Sequence, residues 1–374
     1  MTKPSNDIKS VEKVISEICT FYEKYGYSQY KMSKFEEYDL YVKNKDFLIS
    51  DNIITFTDTN GKLMALKPDV TLSIIKNTKD TKGYVQKVYY NENVYRVTKS
   101  TNAYKEIMQI GLECIGDIDT YSIYEALNLA CESLNIISPD FVLDISNIKI
   151  ISDVISLLNL PLDKEKQIIK CIEEKNIHQI MQITKDSGCD KQISQKLIDI
   201  LSLKGNAKEE IEKLKDICDN ISKDAIDELE VIVNALCEGK FKDKIKIDFS
   251  VINDMGYYNS IVFRGFVNTI PVSILSGGQY DKLMEKMHRK SKAIGFAIYP
   301  DNLERLYDDY ASFDVDTIIL YDDTVSIKDL NNAINMFISS GQSVMAQKNI
   351  PSKIKYQKLV KLHERGLEII ETNA

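Results

Sequence analysis

The chain has 374 residues, enough for two or three domains, and its 44% hydrophobic and 28% charged residues exclude a disordered or fibrous class. A formal net charge of −8 argues against broad, sequence-independent nucleic-acid binding, which needs surplus Lys and Arg to displace counterions. Seven scattered cysteines with no C-x-x-C pair, and His178, His288 and His363 far apart, fit reduced thiols in a cytoplasm rather than a disulfide framework or a structural zinc.

The N-terminal MTKPSNDIKS has no apolar core of a signal peptide, and no run approaches the roughly 18 apolar residues of a membrane span. The expectation is a cytoplasmic protein with no membrane association. Ile8, Val11, Val14, Ile15, Ile18 and Tyr22 recur at helical spacing over 8–24, and Gly26 sits where a left-handed cap belongs. Residues 53–58 and 63–67 read as strands joined by the Asn60-Gly61 turn. Pro68 ends the second strand, and Val70–Lys76 begins a short helix. Two β-rich stretches, 84–97 and 107–116, flank a polar loop at 98–105, and an amphipathic helix runs on from Ser122.

From 144 to 240 Leu, Ile and Lys dominate and aromatics vanish, so this region reads as a helical insertion with helices at 152–159, 164–174, 192–203 and 208–237. β-texture resumes at 245–250, 257–266 and 270–275; Ser276-Gly277-Gly278 then opens a helix over Tyr280–Met287. A strand at 293–299 and a helix at 301–308 follow. The tail reads as strand 316–321, helix 326–339, strand 343–347 and helix 352–369. Segregated strand blocks indicate α+β rather than a doubly wound parallel sheet. The expected division is a core of 1–143 with 241–311, the insertion 144–240, and a small α/β module at 312–374. Neither G-x-G-x-x-G nor G-x-x-x-x-G-K-[ST] occurs.

Several polar residues interrupt otherwise apolar stretches. Gln109, Gly111 and Glu113 share one face of a strand, while Met108, Ile110 and Leu112 point the other way. Gln and Glu flanking a glycine would floor a polar pocket, with the glycine leaving room for a ligand; the alternative is the wet face of a half-exposed sheet. Asp69 and Thr71 follow Pro68. Tyr257 and Tyr258 read either as core filling or as pocket wall, Gly277-Gly278 as a tight strand-to-helix turn, and Arg96 as an anion ligand or one half of a surface ion pair.

In order and spacing, LMALKPDVTLSIIK, YYNENVYRV, EIMQIGLECIG, DMGYYNSIVF, LSGGQYDKL and AIGFAI resemble the catalytic domain of class II histidyl-tRNA synthetases. They resemble still more that family's non-synthesising relatives, the regulatory subunits of ATP phosphoribosyltransferase. The resemblance covers roughly 8–308 and implies a class II synthetase-like antiparallel sheet flanked by helices. It also implies a histidine-binding set of Asp69, Thr71, Arg96, Gln109, Glu113, Tyr257, Tyr258, Gly277 and Gly278. In the family the acid and the threonine hold the α-ammonium, and the glutamate and a tyrosine address the imidazole, roles that suit these residue types.

The departures bear on function. Asn253 stands at the arginine of R-G-L-D-Y-Y, Asn302 at the arginine of motif 3 with Tyr299 for a nearby glycine, and Val97-Thr98-Lys99 at H-E-R of motif 2. Glu304-Arg305 lies three residues late and would replace motif 3 only if the helix slipped a turn. Losing one group that stabilises developing charge typically costs about 100- to 1,000-fold in rate. Motif 1 has Ser33 near the place of its usual proline, and 312–374 is shorter than an anticodon-binding domain.

The resemblance therefore implies a non-catalytic regulatory subunit that needs no cofactor or metal of its own. It would sense free histidine, self-associate into dimers, and join a short-form ATP phosphoribosyltransferase catalytic subunit. A histidyl-tRNA synthetase, or a shortened one, and a stand-alone histidine-binding module are the alternatives.

Overall fold

The computed structural model describes residues 11–44, 53–97, 103–252, 257–303, 306, 313–350, 353–363 and 366–373. The chain divides into two compact units, one built on Lys9–Leu306 and one on Tyr307–Ala374.

The first unit begins with α1 (Val11–Lys24), which buries Val14, Ile15, Ile18 and Tyr22 along one stripe, as the spacing predicts. After β1 (Ser28–Gln29) come β2 (Phe35–Glu37), α2 (Tyr38–Lys43), β3 (Thr55–Thr57), β4 (Leu63–Leu66) and α3 (Thr71–Asn77). Gly61 takes a φ of +80° in the expected turn between β3 and β4. Strands β5 (Val85–Val97) and β6 (Tyr104–Gly116) pair antiparallel along their whole length. Next is α4 (Thr120–Ile137), where Asp119 accepts the Ser122 N–H as N-cap.

Strand β7 (Phe141–Asn147) leads into α5 (Ile148–Leu157), α6 (Leu162–Glu173), α7 (Ile177–Asp186) and α8 (Lys191–Ser202). A short β8 (Lys204–Asn206) precedes α9 (Ala207–Cys218) and α10 (Lys223–Glu238). The chain then returns to sheet with β9 (Ile245–Asp248), β10 (Ile261–Val267), β11 (Leu275–Gln279), α11 (Asp281–Lys286) and β12 (Lys292–Ile298). The nine-stranded sheet runs β1-β5-β6-β12-β11-β10-β7-β9-β8, and β2-β4-β3 form a separate sheet. Every neighbouring pair of the large sheet is antiparallel except β1/β5 and β7/β9. This is the α+β, class II synthetase-like arrangement.

One face of the large sheet packs Ile110, Leu112 and Cys114 toward the side of α1 and α4, where Tyr22 stands edge-on to Phe296 at 6.2 Å. The other face carries a core of Val88, Tyr90 and Ile115 with Tyr41, Ala65, Val70, Leu72, Ile74, Tyr280 and Leu283. The polar strand face is thus covered by α2, α3, β4 and α11.

The second unit contains β13 (Val315–Leu320), α12 (Ile327–Ser339), β14 (Val344–Gln347), β15 (Tyr356–His363) and β16 (Gly366–Thr372), with sheet order β14-β13-β15-β16. Strand β13 is parallel to both β14 and β15, and β16 is antiparallel to β15. Ala333 and its neighbours Leu330, Ile334 and Phe337 on α12 pack over Ile319 and Leu362.

Several expectations are corrected. The helix expected over 352–369 is the strand pair β15 and β16, antiparallel with a register shift between Leu359 and Val360 that leaves Ile370 of β16 as the extra residue, and Gly366 has φ +122°. The helical stretch expected from 144 begins inside β7, whose Phe141, Leu143 and Ile145 are buried at a period of two. The single stretch 208–237 is broken into α9 and α10 where Asp219 and Ser222 take positive φ. The strand expected at 270–275 lies instead at Leu275–Gln279, so Gly277-Gly278 are mid-strand and not a turn. The strand expected from 257 starts only at Ile261. A single 3₁₀ turn at Pro300–Asn302 stands at the start of the helix expected over 301–308, half of which lies outside the described residues. All seven cysteines are free.

Candidate functional site

Register across the large sheet aligns Val88, Glu113, Gly295, Gly278 and Val262 in one row running β5-β6-β12-β11-β10. Glu113 is the acid of that row and is 2% exposed. Thr71, the first residue of α3, donates its hydroxyl to Glu113 Oε1 at 2.8 Å. Tyr280, just before α11, donates its phenol to Glu113 Oε2 at 2.6 Å.

Two glycines make the cluster possible. A Cβ on Gly295 would lie 1.7 Å from Glu113 Oε2, and one on Gly278 would lie 2.8 Å from the Tyr258 ring. The Tyr257 ring meets Tyr258 edge-on with centroids 4.8 Å apart and lies 5.8 Å from Tyr280. One carboxyl, one aliphatic hydroxyl and three phenols therefore converge where β6, β11, α3 and the turn before β10 meet.

Burial sets the protonation. Loss of water pushes the Glu113 carboxyl up to about 8 against the opposing hydrogen bonds from Tyr280 and Thr71, and no cation is among the groups that shift it. Asp69 is also raised by burial, opposed by the Leu72 N–H and by Arg96. Burial holds the phenols of Tyr90, Tyr257 and Tyr280 well above their ordinary range, so they remain neutral donors.

The other expected residues are placed as follows. Asp69 Oδ1 accepts the Leu72 N–H at 2.9 Å and closes the first turn of α3. Arg96 Nε donates to the Pro68 carbonyl at 3.0 Å, bracing the segment ahead of Asp69, and among the described residues it forms no ion pair. Gln109 is only 5% exposed, which removes the wet-face alternative. It sits about 13 Å along β6 from Glu113 at strand rise, beside Glu92, which takes Lys67 Nζ at 2.5 Å. Gly277 belongs to the opposite face: a Cβ there would meet Phe296 Cβ at 2.4 Å and Phe263 Cζ at 2.8 Å. The room expected beside Gly111 for a ligand is taken by Tyr90, whose hydroxyl would lie 2.4 Å from a Cβ at that position.

Sequence reasoning missed Tyr280 as the partner of Glu113, although the residue stands in the matched LSGGQYDKL segment. It also missed Tyr90, Gly295 and Arg264. Arg264 falls on the same sheet face, directly across from Asp144, whose carboxyl burial pushes up to about 6. Only strand register brings these residues to the site, and no local motif signals register.

Of the phosphate-handling positions, Asn302 closes the 3₁₀ turn after β12, and the Tyr299 phenol lies 3.1 Å from Ser276 Oγ. Thr98, Lys99, Asn253, Glu304 and Arg305 lie outside the described residues.

An antiparallel sheet with helices on both sides and a buried acid–phenol cluster on one face defines a class II aminoacyl-tRNA synthetase-like core. The histidyl-tRNA synthetase family profile matches residues 4–303. The ATP phosphoribosyltransferase regulatory subunit of Caldanaerobacter subterraneus subsp. tengcongensis is 30% identical over 282 residues, covering 74% of this chain and 73% of the relative. That of Oceanobacillus iheyensis is 27% identical over 301 residues, covering 79% and 74%. The histidine–tRNA ligase of Methanococcus vannielii is 29% identical over 313 residues, covering 81% and 72%.

Among solved structures, an ATP phosphoribosyltransferase regulatory subunit/histidyl-tRNA synthetase from Bacillus halodurans superposes with a TM-score of 0.78 at 22% identity, covering 96% of this chain and 99% of that one. A chain of the ATP phosphoribosyl transferase (HisG:HisZ) complex from Thermotoga maritima gives 0.62 at 18% identity, covering 78% and 98%. These two likenesses show the fold. The chain belongs to the histidyl-tRNA synthetase family, which here joins synthetases and ATP phosphoribosyltransferase regulatory subunits.

Proposed function

We propose that this chain is a regulatory subunit of ATP phosphoribosyltransferase, acting in the first step of histidine biosynthesis and sensing free histidine in the Glu113 cluster. The observation that carries the reading is a contrast between two positions of the core. Glu113, Thr71 and Tyr280 form a complete, buried hydrogen-bonded set, whereas the motif 3 position that would hold a phosphate-binding arginine carries Asn302 in a 3₁₀ turn. Asp69 supplies a second, partly buried carboxyl for an α-ammonium, and Glu113 with its phenols supplies acceptor and donor groups for an imidazole.

The complex from Thermotoga maritima supports assembly with a short catalytic subunit, which would bring the ATP and phosphoribosyl chemistry; this chain needs only the amino-acid pocket. Regulation follows from linkage. Histidine shifts the assembly only by its difference in affinity between the active and inactive arrangements. Dimerisation fits the outward face of the β2-β4-β3 sheet, where Phe35 and Phe56 lie exposed and edge-on at 5.6 Å.

Two measurements on the full chain test this reading. Calorimetric titration with L-histidine, with the catalytic subunit present, should give saturable binding that Glu113→Ala or Asp69→Ala abolishes. Exchange of pyrophosphate into ATP, driven by histidine in the absence of any partner, should not occur. Exchange at a synthetase-like rate would establish the rival reading, which the 29% identity to a histidine–tRNA ligase favours.

A further inference from the structure

The residues immediately after the paired tyrosines make a set of contacts that no motif explains. The Asp281 N–H, at the start of α11, donates to Asn259 Oδ1 at 2.7 Å. Asn259 Nδ2 donates back to Asp281 Oδ2 at 3.3 Å, and the other carboxylate oxygen of Asp281 accepts the Ala293 N–H of β12 at 2.9 Å. The Asn259 N–H in turn donates to the Gln279 carbonyl at 3.0 Å. Asn259 directly follows Tyr258, and Asp281 directly follows Tyr280. Each end of this side-chain pair is therefore one peptide bond from a tyrosine of the Glu113 cluster.

The geometry points to Asn259 and Asp281 as a clasp, a pair of positioning residues that fixes the distance between the Tyr257–Tyr258 turn and Tyr280 and so sets the width of the amino-acid pocket over Glu113. The inference rests on the reading of that cluster as a histidine site. The physical ground is the completeness of the exchange. The Asn259 amide uses its oxygen and one N–H, and Asp281 uses both carboxylate oxygens, all on three different elements. A side chain that only filled space would not need a donor and an acceptor in this order.

The tyrosine turn lies outside the ladder that holds the strands. Tyr257 and Tyr258 precede β10 rather than lying in it, and strand pairing with β11 begins only at Val262. The Ser260 hydroxyl donates to Glu228 Oε2 of α10 at 3.2 Å, which ties the turn toward the helical segment and not toward Tyr280. In the other direction the clasp carries the turn to the residue that follows Tyr280 and on to β12, beside the Asn259 N–H bond to the Gln279 carbonyl and the Ile261 N–H bond to Gln279 Oε1.

Reciprocal substitution tests it. Asn259→Asp places two carboxylates face to face, and Asp281→Asn places two amides face to face. The double variant N259D/D281N restores every bond: the carboxylate introduced at position 259 accepts the backbone N–H and the new side-chain N–H of position 281, and the amide oxygen introduced at position 281 accepts from Ala293. The assay is L-histidine titration of the full chain with its catalytic subunit, at a temperature where circular dichroism shows each variant fully folded. Asn259→Asp should weaken binding at least about tenfold and Asp281→Asn severalfold, and the double variant should return to within about threefold of the parent.

A purely structural role would lower the melting temperature of the variants and leave the affinity of the folded protein unchanged. That result, or a double variant no better than Asn259→Asp, overturns the clasp. If Asn259→Asp does not fold, Asp281→Asn and the double variant decide the question by the same comparison. If the parent itself binds no histidine while it assembles, the pocket reading fails, and the clasp falls with it.

Discussion

Replacing Glu113 by Gln removes a buried acid whose ionisation the fold opposes, and the pH dependence of stability should record the loss. The carboxyl titrates near 8 in the folded chain against an ordinary value of 4.5. Between those values the folded state binds more protons than the unfolded state, so stability is full below about 4.5 and declines as pH rises through 8. The gap at about 1.4 kcal/mol per pH unit sets a total of about 5 kcal/mol, of which about 3 kcal/mol falls between pH 5.5 and 8. The gain for the neutral form has a structural reason. One of the two hydroxyls that donate to the carboxylate can turn and accept the acid proton, whereas the charged form bears the full desolvation with no cation among the groups that shift it.

Urea unfolding at pH 5.5 and pH 8 without histidine measures the difference. The parent should lose about 3 kcal/mol more than Glu113→Gln across that interval, and Glu113→Gln should be the more stable protein at pH 8 while binding histidine far more weakly. A stability difference between the two proteins that is the same at both pH values to within about 0.5 kcal/mol would refute the buried-acid account.

Gly295→Ala should destabilise the chain by about 1–3 kcal/mol in thermal melts and displace the Glu113 carboxyl, because the added methyl would also lie 2.5 Å from the Leu112 carbonyl. A melt indistinguishable from that of the parent would contradict the register at that row. Lys67→Met should cost about 2–4 kcal/mol, since it strands the Glu92 carboxylate with 18% side-chain exposure; the double variant with Glu92→Leu should recover most of the loss in the same melts. Tyr280→Phe should leave Glu113 Oε2 without its donor and cost about 1–3 kcal/mol at pH 8, with a smaller cost at pH 5.5, where the neutral acid needs one donor fewer.

The parts of the site that were legible in the sequence are those carried by a local rule. Glu113 and Gln109 follow from the period of a strand, Thr71 and Asp69 from their place after the strand-ending Pro68, and the order of the segments from resemblance to the synthetases. What was not legible depends on register between distant strands. Gly278 and Gly295 line up with Glu113 only through the β6-β12-β11 pairing, and Gly277, one residue away, faces the opposite core. Tyr90 closes over Gly111 for the same reason, so a glycine that reads as an opening is a seat for a neighbouring phenol. In the second unit, KIKYQKLVKLHERGLEII has apolar residues close enough to helical spacing to mimic a helix. Leu359 packs on one face of β15 and Leu362 on the other, with Val360 also buried, so β15 lacks the one-sided alternation that would have marked it as a strand.

Phosphoribosyl-ATP formation by a short-form catalytic subunit, assayed with and without this chain and across a histidine titration, tests the central claim most directly. The account predicts that adding the chain raises the rate and that histidine then lowers it, with Glu113→Ala keeping the first effect and losing the second. A rate indifferent to the chain, or inhibition unchanged in Glu113→Ala, would contradict it.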